Sequence, residues 1–337
     1  MNESTPGAFP FDPTPEAVPY KDQYPGLVIF GILTILLGCL CGLFMLFLAY
    51  GMVVGAAAAK APGAPANTTA ILPIVGIYGL LAVVLIWLGI GSIMARRWAR
   101  AILLIWSWVW LIFGTVGGVA AICILPGFFR SIPAGGGPGH PVIPVDPILI
   151  FVTFIITVIF IALPLCWVLF YRSPHVKATC EARSPGDSWT DACPLPVLGL
   201  CLWLGFSVPM LLIMPVMMHG VVPFFGTFLT GFPGGLFYLV MAGVWGWAAW
   251  SLYHLESRGW WVTLIGMAVY ALSSVITYAF HSPLEMYQLM GYPDAQIQQM
   301  QKLGFLSGNS MVWITLISML PVVLYLFWVK RYLPRNE

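Results

Sequence analysis

"GLVIFGILTILLGCLCGLFMLFLAY", Gly26 to Tyr50, runs for 25 residues without a charged side chain. At 1.5 Å of rise per residue, about 20 apolar residues cross the hydrocarbon core of a bilayer as a helix. Seven more such runs follow, at about Ala70–Met94, Ala101–Leu125, Pro147–Tyr171, Pro196–Met218, Gly234–His254, Trp260–Phe280 and Gly308–Val329. No water reaches the backbone there, so its N–H and C=O groups must pair within each segment, which makes the runs helices. Pro164, Pro209, Pro215 and Pro321 lie inside them and fit kinks. The expected fold class is an all-α integral membrane protein with eight transmembrane helices.

Composition agrees. Hydrophobic residues make up 60% of the chain and charged residues 8%, with a mean hydropathy of +0.92. Soluble domains carry roughly a quarter charged residues. A net charge of +2 is too small for a nucleic-acid partner; the expected partners are the lipid bilayer and a membrane protein, either another or a second copy.

Basic residues orient the spans. With both termini in the cytoplasm, the inner segments hold Lys21, Arg96, Arg97, Arg100, Arg172, Lys177, Arg183, Arg258, Lys330, Arg331 and Arg335, and the outer loops only Lys60, Arg130 and Lys302. The expected plan is a disordered Pro-rich tail at 1–25, a first membrane half at 26–171 and a cytoplasmic connection at 172–194. A second half follows at 195–331, then a tail at 332–337. The acidic, Pro-rich start has no signal-peptide pattern.

The halves look like tandem four-helix repeats. "LPLCWVLFY" from Leu163 matches "LPVVLYLFW" from Leu320. Tyr78, Ala82, Val84 and Trp87 match Tyr238, Ala242, Val244 and Trp247 at one offset. The inner turns pair Arg96 with Arg258 and Trp98 with Trp260.

No span carries Asp, Glu, Lys or Arg at membrane depth, and the histidines fall in loops or at helix ends. Intramembrane charges usually mark proton relays, ion paths or catalysis, and their absence argues against those classes. Ser107, Thr153, Thr157, Ser273, Ser274 and Thr277 leave a neutral path open, although such hydroxyls also hold helices together. Gly51 with Gly55, and Gly114 with Gly118, have the spacing that brings helix backbones close.

Two constellations suggest metal. In the inner connection, His175, Cys180 and Cys193 with Asp187 or Asp191 offer zinc a tetrahedral set. The wide Cys180–Cys193 spacing also fits a plain surface loop. On the outer side, Met214, Met217, Met218 and His219 end helix five, and His281, Glu285, Met286 and Met290 follow helix seven. Thioether and imidazole suit Cu(I); methionine also simply fills gaps.

Smaller motifs are weaker. "AGGGPGH" at Ala134–His140 lacks the lysine of a phosphate loop. Asn67–Thr69 fits a glycosylation acceptor, and "DAQIQQMQKL" at Asp294–Leu303 fits a short surface helix. No nucleophile–base set is evident, so no catalytic residue, enzyme activity or resident cofactor is expected.

"SWTDACPLPVL" at Ser188–Leu198, with "CEARSP" at Cys180–Pro185 before it and "GLVIFGILTILLG" in helix one, resembles uncharacterised bacterial multi-pass inner-membrane proteins. The likeness implies a bacterial inner membrane and no particular activity. The leading expectation is a non-catalytic scaffold, accessory or regulatory subunit. The alternatives are a carrier or channel for a neutral or apolar solute through the interface between the repeats, and copper handling at the outer face.

Overall fold

The computed structural model describes residues 20–58, 72–131, 145–292, 294, 297, 298, 301 and 308–334. The start of the Pro-rich tail, Asn67–Thr69, Ala134–His140 and most of Asp294–Leu303 lie outside the described residues.

The helices are α1 (Tyr24–Ala58), α2 (Leu72–Ile93), α3 (Arg97–Ser131), α4 (Val145–Thr157), α5 (Leu163–Arg172), α6 (Pro174–Arg183), α7 (Leu195–Met217), α8 (Gly231–Tyr253), α9 (Ser257–Phe280), α10 (Pro283–Leu289) and α11 (Gly308–Val329). Eight segments are long and apolar enough to cross a membrane, with α4 and α5 forming one of them, Pro147–Arg172. The chain is a multi-pass membrane protein built from helices, with one small antiparallel hairpin, β1 (Val222–Phe224) and β2 (Thr227–Leu229), between α7 and α8.

Between α4 and α5 lies a π turn, Val158–Ala162, closed by the Leu163 amide donating to the Val158 carbonyl. Its cause is the next residue. Pro164 has no N–H for the Phe160 carbonyl, and its ring would collide with that oxygen in a regular helix. The wider turn moves the carbonyl aside, where it faces Gly114 of α3. A Cβ at Gly114 would sit 3.0 Å from that oxygen, and one at Gly118 would sit 3.4 Å from Phe160 Cβ. The expected close approach at Gly114 and Gly118 is found, whereas Gly51 faces open space.

The tightest helix pair is α1 with α2. Cβ atoms at Gly31 and Gly89 would lie 2.8 and 2.7 Å from each other's carbonyl oxygens, and one at Gly38 would lie 3.0 Å from the Ala82 carbonyl. Lipid tails are as apolar as leucine, so contact of this kind and hydrogen bonds, rather than the hydrophobic effect, drive such pairing.

Two abrupt corners join α2 to α3 and α8 to α9. In the first, the amides of Met94, Ala95 and Arg96 donate to the carbonyls of Ile90, Ser92 and Gly91. In the second, His254, Leu255 and Glu256 donate to Trp250, Leu252 and Ser251 in the same pattern. Ala95 (φ 50°) and Leu255 (φ 61°) occupy the left-handed region at matching places. The corners therefore align Arg96 with Glu256 and Trp98 with Arg258. The lexical match of Trp98 with Trp260 is two residues out of register.

Each set of four spans packs in chain order: α1 on α2, α2 on α3 and α3 on α5, then α7 on α8, α8 on α9 and α9 on α11. Each is also tied at the end that carries the corners. Ser92 Oγ donates to the Leu27 carbonyl and lies 2.7 Å from the Tyr171 hydroxyl. The Tyr325 hydroxyl donates to the Pro196 carbonyl at 2.7 Å, and Trp260 Nε1 to the Leu326 carbonyl at 2.7 Å. Both buried apolar clusters have members at this end, one including Leu27, Leu88, Trp167, Tyr171 and Val176, the other Val197, Leu198, Leu252, Trp260 and Leu326. Large apolar side chains remain exposed along the spans, among them Phe47, Val216 and Leu316, as lipid-facing surfaces require.

Candidate functional site

The expected polar connection at 172–194 is largely structured. Pro174, with no N–H to spare, suits the first turn of α6. Ser188 and Asp191 form a reciprocal cap around the short 3₁₀ turn Trp189–Asp191. The chain ahead of α1 docks on α6. Asp22 pairs with Arg183 at 2.9 Å, and the Gln23 amide donates to Thr179 Oγ1 at 3.0 Å. The Lys21 amide donates to His175 Nδ1 at 3.4 Å, and the Arg183 guanidinium lies 3.8 Å from the centre of the Tyr24 ring. Residues 20–25, expected within the disordered tail, are thus ordered, and α1 starts at Tyr24. Arg183 holds the Asp22 carboxyl below its ordinary range.

The zinc candidates occupy separate places. Cys180 is buried in the first apolar cluster and Cys193 in the second. Burial pushes the Cys180 thiol up to about 11. Cys193 is drawn below the ordinary thiol value by the hydrogen bond from Cys201. Asp191 pairs with Arg97 at 3.3 Å, His175 accepts the Lys21 amide, and Asp187 is exposed. Among the described residues, His, Cys, Asp and Glu form no group of three placed to hold a metal ion.

What these residues do form is a platform at one end of the bundle. The Tyr253 hydroxyl donates to the Trp189 carbonyl at 3.0 Å, and Arg97 reaches Asp191. The Nε atoms of Arg97 and Arg100 are buried without a hydrogen-bond partner among the described residues. Lys177 and Glu181 face outward at a loose 3.7 Å.

At the opposite end stands the hairpin, which sequence reasoning missed. Its turn places Phe225 (φ 40°) and Gly226 (φ 90°) in the left-handed region, as a two-residue hairpin turn requires. The strain at Phe225 is held by α9: the Phe225 amide donates to Ser273 Oγ and the Gly226 amide to Thr277 Oγ1, each at 3.0 Å. Ser273 donates onward to the Pro223 carbonyl, and the Tyr238 hydroxyl holds the Val221 carbonyl at 2.9 Å. "FFGTF", a glycine between aromatics, was the only signal in the sequence.

Four of the six hydroxyls of the expected neutral path have structural duties. Ser273 and Thr277 anchor the hairpin, while Ser107 and Thr157 bond to the carbonyls four residues back. Ser274 Oγ is buried without a hydrogen-bond partner among the described residues.

Of the copper candidates, His281 has both ring nitrogens engaged, Nδ1 with Glu285 at 2.8 Å and Nε2 with the Gly226 carbonyl at 3.1 Å. Glu285 is held below its ordinary value by His281. His219 sits at φ 51° and gives its carbonyl to the Gly231 amide. Met214 and Met217 are within α7, Met218 caps it, and Met286 Sδ accepts the Tyr278 hydroxyl.

Comparison of the chain with protein-family models, curated proteins and solved structures gives no match.

Proposed function

We propose that this protein is a non-catalytic scaffold or accessory subunit of a bacterial inner membrane, built from two tandem four-helix repeats with both termini in the cytoplasm. The observation that carries the reading is the use of its buried hydroxyls. Ser273 and Thr277, the best-placed groups for a polar path, are spent on fixing a hairpin. The platform at the other end adds support, because it displays ordered charge assembled from segments far apart in sequence. The matched corners and the like packing order support the repeat. The basic residues gathered at the corner end support the orientation.

The test joins flux and assembly. The full chain in proteoliposomes should pass glycerol no faster than empty vesicles do. Cross-linking in native membranes should retain a stoichiometric partner, lost on reversing charge at the platform (Lys177→Glu with Glu181→Lys). Solute flux lost in Ser273→Trp would instead make the protein a carrier. Near-stoichiometric copper that falls in both His219→Ala and His281→Ala would make it a copper protein.

A further inference from the structure

A cavity of about 500 Å³ opens at the corner end of the bundle, between the start of α9 and the end of α11. Its walls are Trp260, Trp261, Phe327, Leu333, Lys330 and Arg331. The Ser257 hydroxyl donates to the Pro334 carbonyl at 3.0 Å, so both ends of its rim are tied together. Trp260 is held by its Nε1 bond to Leu326. The Lys330 ammonium lies 4.5 Å from the centre of one Trp260 ring and 4.9 Å from that of Trp261, a cation–π seat that fixes the charge beside the cavity.

The charge here is unbalanced. Neither Lys330 nor Arg331 has a salt-bridge partner among the described residues, and no carboxylate lines the cavity. Glu256, the nearest acid in sequence to Ser257, is turned to Ser251 Oγ at 2.9 Å. Two cations above an aromatic, apolar wall at the end of two spanning helices complement a group that is anionic at one side and greasy at the other. Phospholipid headgroups lie at that depth, where tryptophan also concentrates.

We propose that this cavity binds the headgroup of an anionic phospholipid, with Lys330 and Arg331 on the phosphate and Trp261, Phe327 and Leu333 against the first acyl segment. Ordinary snorkelling would send each cation separately to water. Here the two line one recess, and a volume of about 500 Å³ falls within the range of small-molecule sites. The inference does not depend on the scaffold reading, because a carrier would carry the same site.

The full chain in detergent is titrated with phosphatidylglycerol or phosphatidylcholine, reading bound lipid by native mass spectrometry. The wild type should prefer phosphatidylglycerol. Lys330→Gln with Arg331→Gln should cut that preference about 25-fold, roughly five-fold per cation, while Lys330→Arg with Arg331→Lys keeps it and Arg96→Gln leaves it unchanged. An unchanged preference in the double glutamine variant overturns the proposal. So does equal competition by soluble glycerol 3-phosphate, which would make the site one for a free phosphate compound. If the double variant does not fold, a photoactivatable phosphatidylglycerol decides on the wild type: labelling of 257–261 or 327–334 supports the site, and labelling only elsewhere refutes it.

Discussion

Thr277 Oγ1 accepts the amide of Gly226 at 3.0 Å and donates its own hydrogen bond to the Ser273 carbonyl, so one hydroxyl joins the hairpin turn to the backbone of α9. Ser273 contacts the hairpin twice: its Oγ accepts the Phe225 amide and donates to the Pro223 carbonyl. A left-handed turn led by phenylalanine is poorly favoured by itself; these acceptors and Tyr238 hold it in place.

Thr277→Val should therefore lower stability by about 0.5–1.5 kcal/mol, the net worth of a typical hydrogen bond, here to a half-buried amide. Ser273→Ala should do the same. The check is the melting temperature of the detergent-solubilised protein. An unchanged transition in both variants would show that the hairpin does not depend on α9.

Glycine at the first helix pair is constrained by backbone as well as side-chain neighbours, the carbonyls of the facing helix and the side chains of Ile93 and Ile35. Gly89→Val would drive a branched side chain at the Gly31 carbonyl, and Gly31→Val the reverse. Both should cost about 1–3 kcal/mol or more, as overpacking does. Gly51→Val, with nothing within 4 Å of its Cβ, should be near neutral. Size-exclusion profiles and melting curves of the three variants give the comparison.

Asp22 and Glu285 are carboxylates whose pKa values are lowered in the folded state, by Arg183 and His281 respectively. A lowered carboxylate contributes stability above its ordinary value, and that contribution is lost as pH falls through the lowered one. The docking of Lys21–Gln23 on α6, and the cap that Glu285 gives the start of α10, should hence loosen below the ordinary carboxylate values of 3.8 and 4.5. Protection factors for hydrogen exchange at the Gln23 and Ser282 amides, corrected for the intrinsic slowing of exchange in acid, should fall in that range. Asp22→Asn should already show the faster exchange of Gln23 at neutral pH. Protection independent of both pH and that substitution would count against the pairing.

Cys180 should resist a water-soluble maleimide at pH 7.5 in the folded protein and react after denaturation, because it is buried and protonated. Elemental analysis of the same sample, purified without a metal-binding tag, should find zinc well below one atom per chain. Stoichiometric zinc, lost in Cys180→Ala, would require the Tyr171–Pro194 segment to rearrange.

The spans were legible because the bilayer imposes one requirement, an unbroken apolar helix, which the runs from Gly26 onward meet. Pro164 announced a local disturbance, although not that a π turn would absorb it. The hairpin was illegible for a different reason: three-residue strands carry too little periodicity, and their stability comes from Ser273 and Thr277, about 50 residues away. A longer separation, 161 residues, hid the docking of Asp22 on Arg183. Histidine, cysteine and aspartate shared one short segment, yet Cys180 and Cys193 belong to different apolar clusters, which spacing could not tell. Trp98 and Trp260 looked equivalent as letters, whereas the corner hydrogen bonds place Trp98 opposite Arg258.

The π turn before Pro164 also sets the azimuth of everything upstream of it. One residue added to a helical turn rotates the preceding segment by about 100°, the angle each residue subtends. The side of Val145–Thr157 that meets α3 through Ile156 at Gly118 is thus chosen at Val158–Ala162. Shortening that turn by one residue would leave the span apolar and still long enough to cross, but would swing Ile156 away from α3 and turn another face toward it. Hydropathy would register almost no change, while the partner surface of the fourth span would be a different one.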